Sequence, residues 1–309
     1  QAAQSVVTLQ KRWDNLQDLS NEWLDMVLKN YQDVTVEAYL NDESIEIERV
    51  KDSNNDKLVQ IKLVFTMSAF TKCFRPVSNY PSDLSDLVVW LSARSGVTFD
   101  IPTKKISAWA DQSGNSNSVA QGTKANQPLR YGFDGADDKS YIEFDGNNDS
   151  FTSDGNSPIT SDEFTIFAVS KVDTAVTESG RYFEYVNGNI KVLFGSKNNE
   201  LYGRVVDNAS EEIELTLAGA DTADYHIAML KLDDKRLYLD YNNTLTTDLQ
   251  NASYDSATIY DGAVFNIGVN NATDYLDGQI EELIIYNRKL ESTEIADIKS
   301  YLNKEYNIY

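Results

Sequence analysis

The sequence predicts a mainly-β protein: a C-terminal two-sheet antiparallel jelly-roll sandwich with a terminal helix, preceded by a small α+β N-terminal domain. Three observations predict it. From residue 83 onward, short runs of alternating apolar and polar residues recur between Gly, Asn and Asp turns. The stretch RPVSNYPSD (75–83) holds two of the five prolines and reads as a linker. The residues before it carry one long helical pattern and then alternating strands. The resulting division is 1–76, a linker at 77–82, and 83–309.

The helix is expected over 9–30, LQKRWDNLQDLSNEWLDMVLKN. Leu9, Trp13, Leu16, Ser20, Trp23 and Val27 recur at spacings of three and four. Leu19, Leu24, Met26 and Leu28 widen the apolar stripe beyond one face, so the helix is buried on its own domain or on a partner chain. Trp13, Leu16, Trp23 and Val27 are the expected assembly contact, and the chain is expected to be oligomeric. VTVEAYL, ESIEIERV and LVQIKLVFTMSAF follow, separated by the turn signals NDES and KDSNNDK. Their alternation and β-branched residues make them antiparallel strands.

In the larger domain the expected strands include YIEFDG, EFTIFAVSKV, RYFEYV, IKVLFG, LYGRVV, EIELTLA, YHIAMLKLD, RLYLDYN, VFNIGV and GQIEELIIYN. No repeat of constant period runs through them, which argues against a propeller or solenoid. DQSGN (111–115) has the composition of an Asx turn: Asp111 accepts backbone N–H groups and Gly114 supplies positive φ. Trp90 and Trp109 are expected to flank it as core aromatics. Asp145-Gly146 repeats the device after YIEF. The chain closes on STEIADIKSYLNKEYNIY, where Ser292 is the expected N-cap and Ile295, Ile298 and Leu302 give helical spacing.

Composition narrows function. With 49 acidic against 27 basic residues the formal net charge is −22. Such a surface repels phosphate backbones, so nucleic acid is not an expected partner. No apolar run is long enough to span a membrane. The start at Gln1 shows no signal-peptide pattern, although truncation or processing would remove one. The lone Cys73 rules out an internal disulfide and is expected to be a buried apolar residue. The lone His226 is the one residue able to serve in a Ser-His-Asp or Cys-His arrangement, and it sits in a strand pattern that favours a structural role. Zinc sites of the Cys/His kind are excluded by count.

Several landmarks fall in a recognisable order: LVVWLSA (87–93), AWADQSGN (108–115), Gln121, QP (127–128), YIEFDGNNDSF (141–151), EFTIFAVSKV (163–172), and finally LDGQIEELIIYNRKLESTEIADIKSYLNKEYNI. Over residues 83–309 the chain resembles the concanavalin A-like lectin/glucanase superfamily in its LamG-like branch, found in bacterial surface proteins and phage virions. The resemblance implies two stacked antiparallel sheets whose faces or rim loops bind glycans or calcium.

Three kinds of site follow as expectations. Calcium is the candidate cofactor, at the oxygen-rich loop of Asp145, Asn147 and Asp149, which lacks the spacing of an EF-hand. Glycans are the second, with Tyr182, Tyr185, Tyr202 and Arg204 on neighbouring strands whose alternation is expected to bring some of them to an exposed face. Glycoside hydrolysis is the third. It needs two carboxylates about 5 to 9.5 Å apart, and the available i,i+2 pairs, Glu212/Glu214 and Glu46/Glu48, are not the glucanase motif. Asn148, Asn208, Asn242, Asn251 and Asn271 lie in Asn-x-Ser/Thr sequons, relevant to a secreted eukaryotic protein. The function expected is a non-enzymatic phage virion protein, anchored by residues 1–76 to other virion or surface-assembly proteins and displaying a lectin-like domain to host glycans. The alternatives are an extracellular or bacterial cell-surface carbohydrate-binding module and a glucanase-like hydrolase.

Overall fold

The computed structural model describes residues 39–40, 43–44, 46–51, 58–64, 81–132, 140–155, 158–173, 180–255, 264–270 and 274–309. Compact units divide between Ser78 and Asn79. The first contributes two antiparallel hairpins, β1 (Tyr39–Leu40) with β2 (Glu43–Ser44) and β3 (Glu46–Lys51) with β4 (Leu58–Val64). The helix expected over 9–30, its residues Trp13, Leu16, Trp23 and Val27, and Cys73 lie outside the described residues.

The second unit is the sandwich. In chain order its strands are β5 (Leu87–Ser92), β6 (Val97–Phe99), β7 (Ile106–Trp109), β8 (Val119–Ala120), β9 (Leu129–Tyr131), β10 (Tyr141–Asp145), β11 (Phe151–Ser153) and β12 (Phe164–Val172). There follow β13 (Arg181–Asn187), β14 (Ile190–Lys197), β15 (Glu200–Val206), β16 (Glu212–Leu217), β17 (His226–Asp233), β18 (Arg236–Tyr241) and β19 (Leu245–Gln250). Then come β20 (Phe265–Ile267), β21 (Val269–Asn270), β22 (Asp274–Tyr275), β23 (Asp277–Tyr286) and the helix α1 (Ser292–Tyr306). The first sheet runs β19-β18-β17-β12-β23-β10-β9, with β5 also on β23. The second runs β16-β15-β14-β13-β20-β11-β8-β7-β6.

Sequence alternation explains the layers. β10 turns Ile142 and Phe144 into the core between the sheets and leaves Tyr141 and Glu143 on the other side. β12 and β23 are apolar on both faces because each is covered twice. Their Ile166, Ala168, Leu283 and Ile285 join the inter-sheet core. Phe167, Val169, Ile284 and Tyr286 instead meet Ile298, Tyr301, Leu302 and Tyr306 of α1 in a second cluster. The helix begins one residue earlier than its composition implied. Ser292 is its first residue, and the cap is Glu291, whose N–H donates to Glu294 at 2.9 Å while Arg288 pairs with the same carboxylate at 2.8 Å. Asn307 ends it in the left-handed conformation, φ 51°.

The Asx turn forms as its residues dictate, and it does more than turn the chain. One edge of β5 pairs with β23; among the described residues the other has no strand beside it. Residues 111–117 fill that edge. Asp111 Oδ1 accepts the N–H groups of Trp90 and Ser113, both at 2.9 Å, and its Oδ2 accepts from the Ser113 hydroxyl at 2.7 Å and the Asn117 N–H at 3.0 Å. Asn115 Nδ2 donates to the Leu87 carbonyl and Asn117 Nδ2 to the Val88 carbonyl, each at 2.7 Å. The Gln112 N–H donates to the Trp90 carbonyl at 2.7 Å. Gly114 takes φ +86° as the turn requires. Trp109 is a core aromatic, its Nε1 donating to the Ser92 carbonyl at 2.9 Å. Trp90 is not one: it is half-buried on the helix side, because alternation along β5 turns it away from Val89 and Leu91.

Two of the buried ionisable groups, Glu282 and His226, bear on stability through pH. Glu282 of β23 lies under α1, where Oε1 accepts from Trp90 Nε1 at 2.6 Å and from the Tyr301 hydroxyl at 3.0 Å, and Oε2 accepts from the Tyr306 hydroxyl. Burial pushes its carboxyl up to about 7 against the pull of those three donors. His226 sits between the sheets. Its Nδ1 lies 2.9 Å from the Asp224 carbonyl and so carries the proton, while Nε2 is 3.2 Å from both the Ser170 and Tyr182 hydroxyls. Burial lowers its pKa to about 4.

Asp111→Ala is expected to cost about 3 kcal/mol of stability, because several charge-assisted bonds go at once; urea unfolding would show a lower midpoint with unchanged slope. The buried pair predicts opposite pH dependences. Glu282 has a folded pKa of about 7 above its ordinary 4.5, so its contribution is complete below about 4.5 and is lost as pH rises through about 7. His226 has a folded pKa of about 4 below its ordinary 6.5, so its contribution is complete above about 6.5 and is lost as pH falls through about 4. Each effect is on the order of 3 kcal/mol. Between about pH 4 and pH 7 the two slopes oppose one another. Melting temperatures across this window are therefore expected to rise with pH in Glu282→Gln, where only the His226 contribution is left, and to fall with pH in His226→Gln, where only the Glu282 contribution is left.

Candidate functional site

The lone histidine does not form a reactive site. His226 is fully buried, its ring stacks on Tyr241 at 5.3 Å, and its Nδ1 faces a backbone carbonyl rather than a carboxylate.

The expected glycan residues separate into two environments. Tyr182 and Tyr185 are fully buried in the inter-sheet core, so the expectation of an exposed ring is corrected for both. A register shift between Arg181 and Phe183 places Tyr182 and Phe183 together in that core, and Tyr182 uses its hydroxyl on His226. Tyr202 and Arg204 do share the outer face of the second sheet. Tyr202 is 2% exposed, with Arg181 4.5 Å and Lys197 5.0 Å from its ring centroid, and burial pushes its phenol up to about 12. Arg204 donates from Nε to Glu212 at 3.1 Å and lies 3.6 Å from Glu214. Glu214 also pairs with Lys197 at 3.1 Å. The pair Glu212/Glu214 thus sits on one strand face among cations, and Glu46 and Glu48 lie on β3 of the other unit.

The loop after β10 is an Asx turn. Asp145 Oδ1 accepts the N–H groups of Asn147, Asn148 and Asp149 at 2.9, 3.2 and 3.4 Å, and Gly146 takes φ +72°. Asp149 is 1% exposed and faces Lys105 Nζ at 3.5 Å, which also donates to the Gln127 carbonyl at 2.5 Å. Burial and then the Asp145 charge raise the Asp149 carboxyl to about 6. Asp145 is therefore turned onto its own loop and Asp149 toward an internal ammonium. Among the described residues no group of three or more His, Cys, Asp and Glu side chains is placed to hold a metal ion.

A further surface, not expected from the sequence, lies on the outer face of the first sheet beyond α1. Tyr131 of β9 is the register partner of Tyr141 of β10, and their rings stack 5.4 Å apart and 14° from parallel. Across the next rung, Glu143 lies opposite Gln279 of β23, and Gln279 opposite Lys171 of β12. Tyr225, just before β17, donates its hydroxyl to Gln279 Oε1. Gln279 Nε2 donates to Asp173 Oδ2 at 3.3 Å, and Asp173 pairs with Lys171 at 3.0 Å. Tyr131, Tyr141, Tyr225 and Glu143 are all half-buried. Burial, then the charges of Asp173 and Asp277, raise the Glu143 carboxyl; burial, then Glu143, raise the Tyr141 phenol. The clue was present in Y-I-E-F, where alternation puts Tyr141 and Glu143 on one face. The partners of that face come from three other strands and a loop, and only register supplies them.

Residues 145–296 match the laminin-G-type family model of the concanavalin A-like lectin/glucanases superfamily. No curated protein sequence matches the chain. Among solved structures it is similar to the binding domain of Paraclostridial Mosquitocidal Protein 1, at 17% identity and a TM-score of 0.53 over 72% of this chain and 54% of that one. The Botulinum neurotoxin serotype G binding domain matches at 13% identity and a TM-score of 0.52, over 71% and 51%. The binding domain of Botulinum neurotoxin DC, solved in complex with rat synaptotagmin II, matches at 13% identity and a TM-score of 0.52, over 72% and 52%. The chain spans about half the length of these structures, and at such identities the likeness concerns the fold. Residues 145–296, which lie within the two-sheet sandwich, are thus a region of the concanavalin A-like lectin/glucanases superfamily.

Proposed function

We propose that this chain is a non-enzymatic, lectin-like protein that adheres to host glycans from the surface of a phage virion. The observation that carries the reading is the outer face of the first sheet, where half-buried tyrosines stand among carboxylates and an amide. Sugars offer C–H faces that pack on aromatic rings and hydroxyls that bond to such polar groups. The sandwich fold shared with three solved binding domains supports a binding role. The virion setting is supported by the broadly apolar pattern of residues 9–30, which fits attachment of residues 1–76 to other particle proteins and an oligomeric state.

The test is adhesion of the full chain to host cells before and after periodate oxidation of surface sugars. Binding is expected to fall to background after oxidation, with no reducing sugar released from the untreated surface. Binding that survives oxidation, or steady release of reducing ends, would overturn the reading.

A further inference from the structure

We infer that the glycan site is the patch formed by Tyr131, Tyr141, Glu143 and Tyr225 on the first sheet, and that its ligand is a neutral oligosaccharide. The inference rests on the lectin-like reading above and adds its place and its ligand class. Three observations converge on it.

The first is how the two outer faces are used. On the second sheet the Tyr202 ring lies beneath Arg181 and beside Lys197, and Arg204 is held by Glu212 and Glu214. That face spends its aromatic and its cations on one another; on the first sheet Lys104 lies 5.0 Å from the Tyr131 ring centroid and Lys171 5.9 Å from that of Tyr225, while the Tyr141 ring is met by Tyr131. On the first sheet, α1 covers Phe167, Val169, Ile227, Met229, Ile284 and Tyr286, and among the described residues no helix extends over the rungs that carry Tyr141 and Glu143.

The second is geometry. Tyr131 and Tyr141 stack on one another and are fixed by backbone register, so the ring face that Tyr141 turns away from Tyr131 is held on a sheet rather than on a loop. Glu143 is i+2 from Tyr141 and shares its face, within reach of a sugar packed on that ring. Tyr225 closes the far side, tied to Gln279. An aromatic patch beside fixed acceptors is what a pyranose needs: rings for its C–H surface, acceptors for its hydroxyls.

The third is charge. Asp173 and Asp277 both act on Glu143 across this face and outweigh the opposing charge of Lys171, which also pairs with Asp173. A sugar carboxylate or sulfate placed here would add repulsion to a group already burdened by like charges, in a half-buried setting where screening is weak. A neutral sugar meets no such penalty, and its hydroxyls donate to the carboxylates. The overall charge of −22 acts in the same direction.

Titration calorimetry of the full chain with cellohexaose, chitohexaose and hexagalacturonate tests both parts. At least one neutral hexasaccharide is expected to bind and hexagalacturonate is not. Tyr141→Ala is expected to weaken binding at least about tenfold, Tyr141→Phe to retain it, and Arg204→Ala on the other sheet to leave it unchanged. Tyr131→Ala is the second variant, should Tyr141→Ala unfold; melting temperatures identify that case. Undiminished binding by folded Tyr141→Ala and Tyr131→Ala, or loss in Arg204→Ala, would overturn the location while the lectin-like reading stands. Tighter binding of hexagalacturonate than of either neutral sugar would overturn the ligand class. If no sugar binds and adhesion resists periodate, the lectin-like reading falls and takes this site with it.

Discussion

The sandwich depends on how one strand edge is closed. Among the described residues β5 has a strand partner, β23, on one side only, and an open edge of this kind is a template for pairing with other chains. Asp111 resolves it. By gathering the N–H groups of Trp90, Ser113 and Asn117 it folds a loop flat against the strand, and Asn115 and Asn117 then reach the carbonyls that a neighbouring strand would have bonded. The consequences pass inward. β5 held straight fixes Trp90, Trp90 supplies one donor to Glu282, and Glu282 supplies the polar centre on which α1 closes through Tyr301 and Tyr306. A polar turn and a buried acid at opposite faces of one strand are thus parts of one construction.

The same logic separates what was legible in the sequence from what was not. Period-two alternation is a local property, and it located β10, β14, β15, β16 and β18 because their inward residues repeat without interruption. Helical spacing located α1, and the composition of DQSGN located the turn. Residues whose environment is set by distant partners were less accessible. Glu282 is hidden in EELIIY, where nothing marks two adjacent glutamates as both buried, or the second as the one beneath α1. Tyr182 reads as an exposed-face candidate until a register shift brings it into the core. Ser292 has the better capping chemistry than Glu291, yet the reciprocal bond with Glu294 moves the start of the helix. Tyr131 and Tyr141 become a pair only through the antiparallel register of β9 and β10.

The two sheets also differ in how they treat charge. The outer face of the second sheet neutralises itself pairwise, with Arg204 and Lys197 set against Glu212 and Glu214. Exposed pairs of this kind contribute little to stability but leave little unsatisfied potential for a ligand. The first sheet divides its outer face in two: an apolar half sealed by α1, and a half where tyrosines and acids remain half-buried. Covering one half with the chain's own helix is what leaves the other as the distinctive surface of this sheet.

The order of pairing along the chain has a consequence for biogenesis. β5 is made early and its strand partner β23 comes almost last, followed by the helix that caps the apolar half of the sheet. A nascent chain therefore carries β5 and the exposed side of β12 through most of its synthesis with neither partner present. The knot at residues 111–117 needs only residues close to it in sequence, so it can tie as soon as that segment leaves the ribosome. It would then act as a built-in escort, occupying one edge of β5 until β23 arrives to take the other.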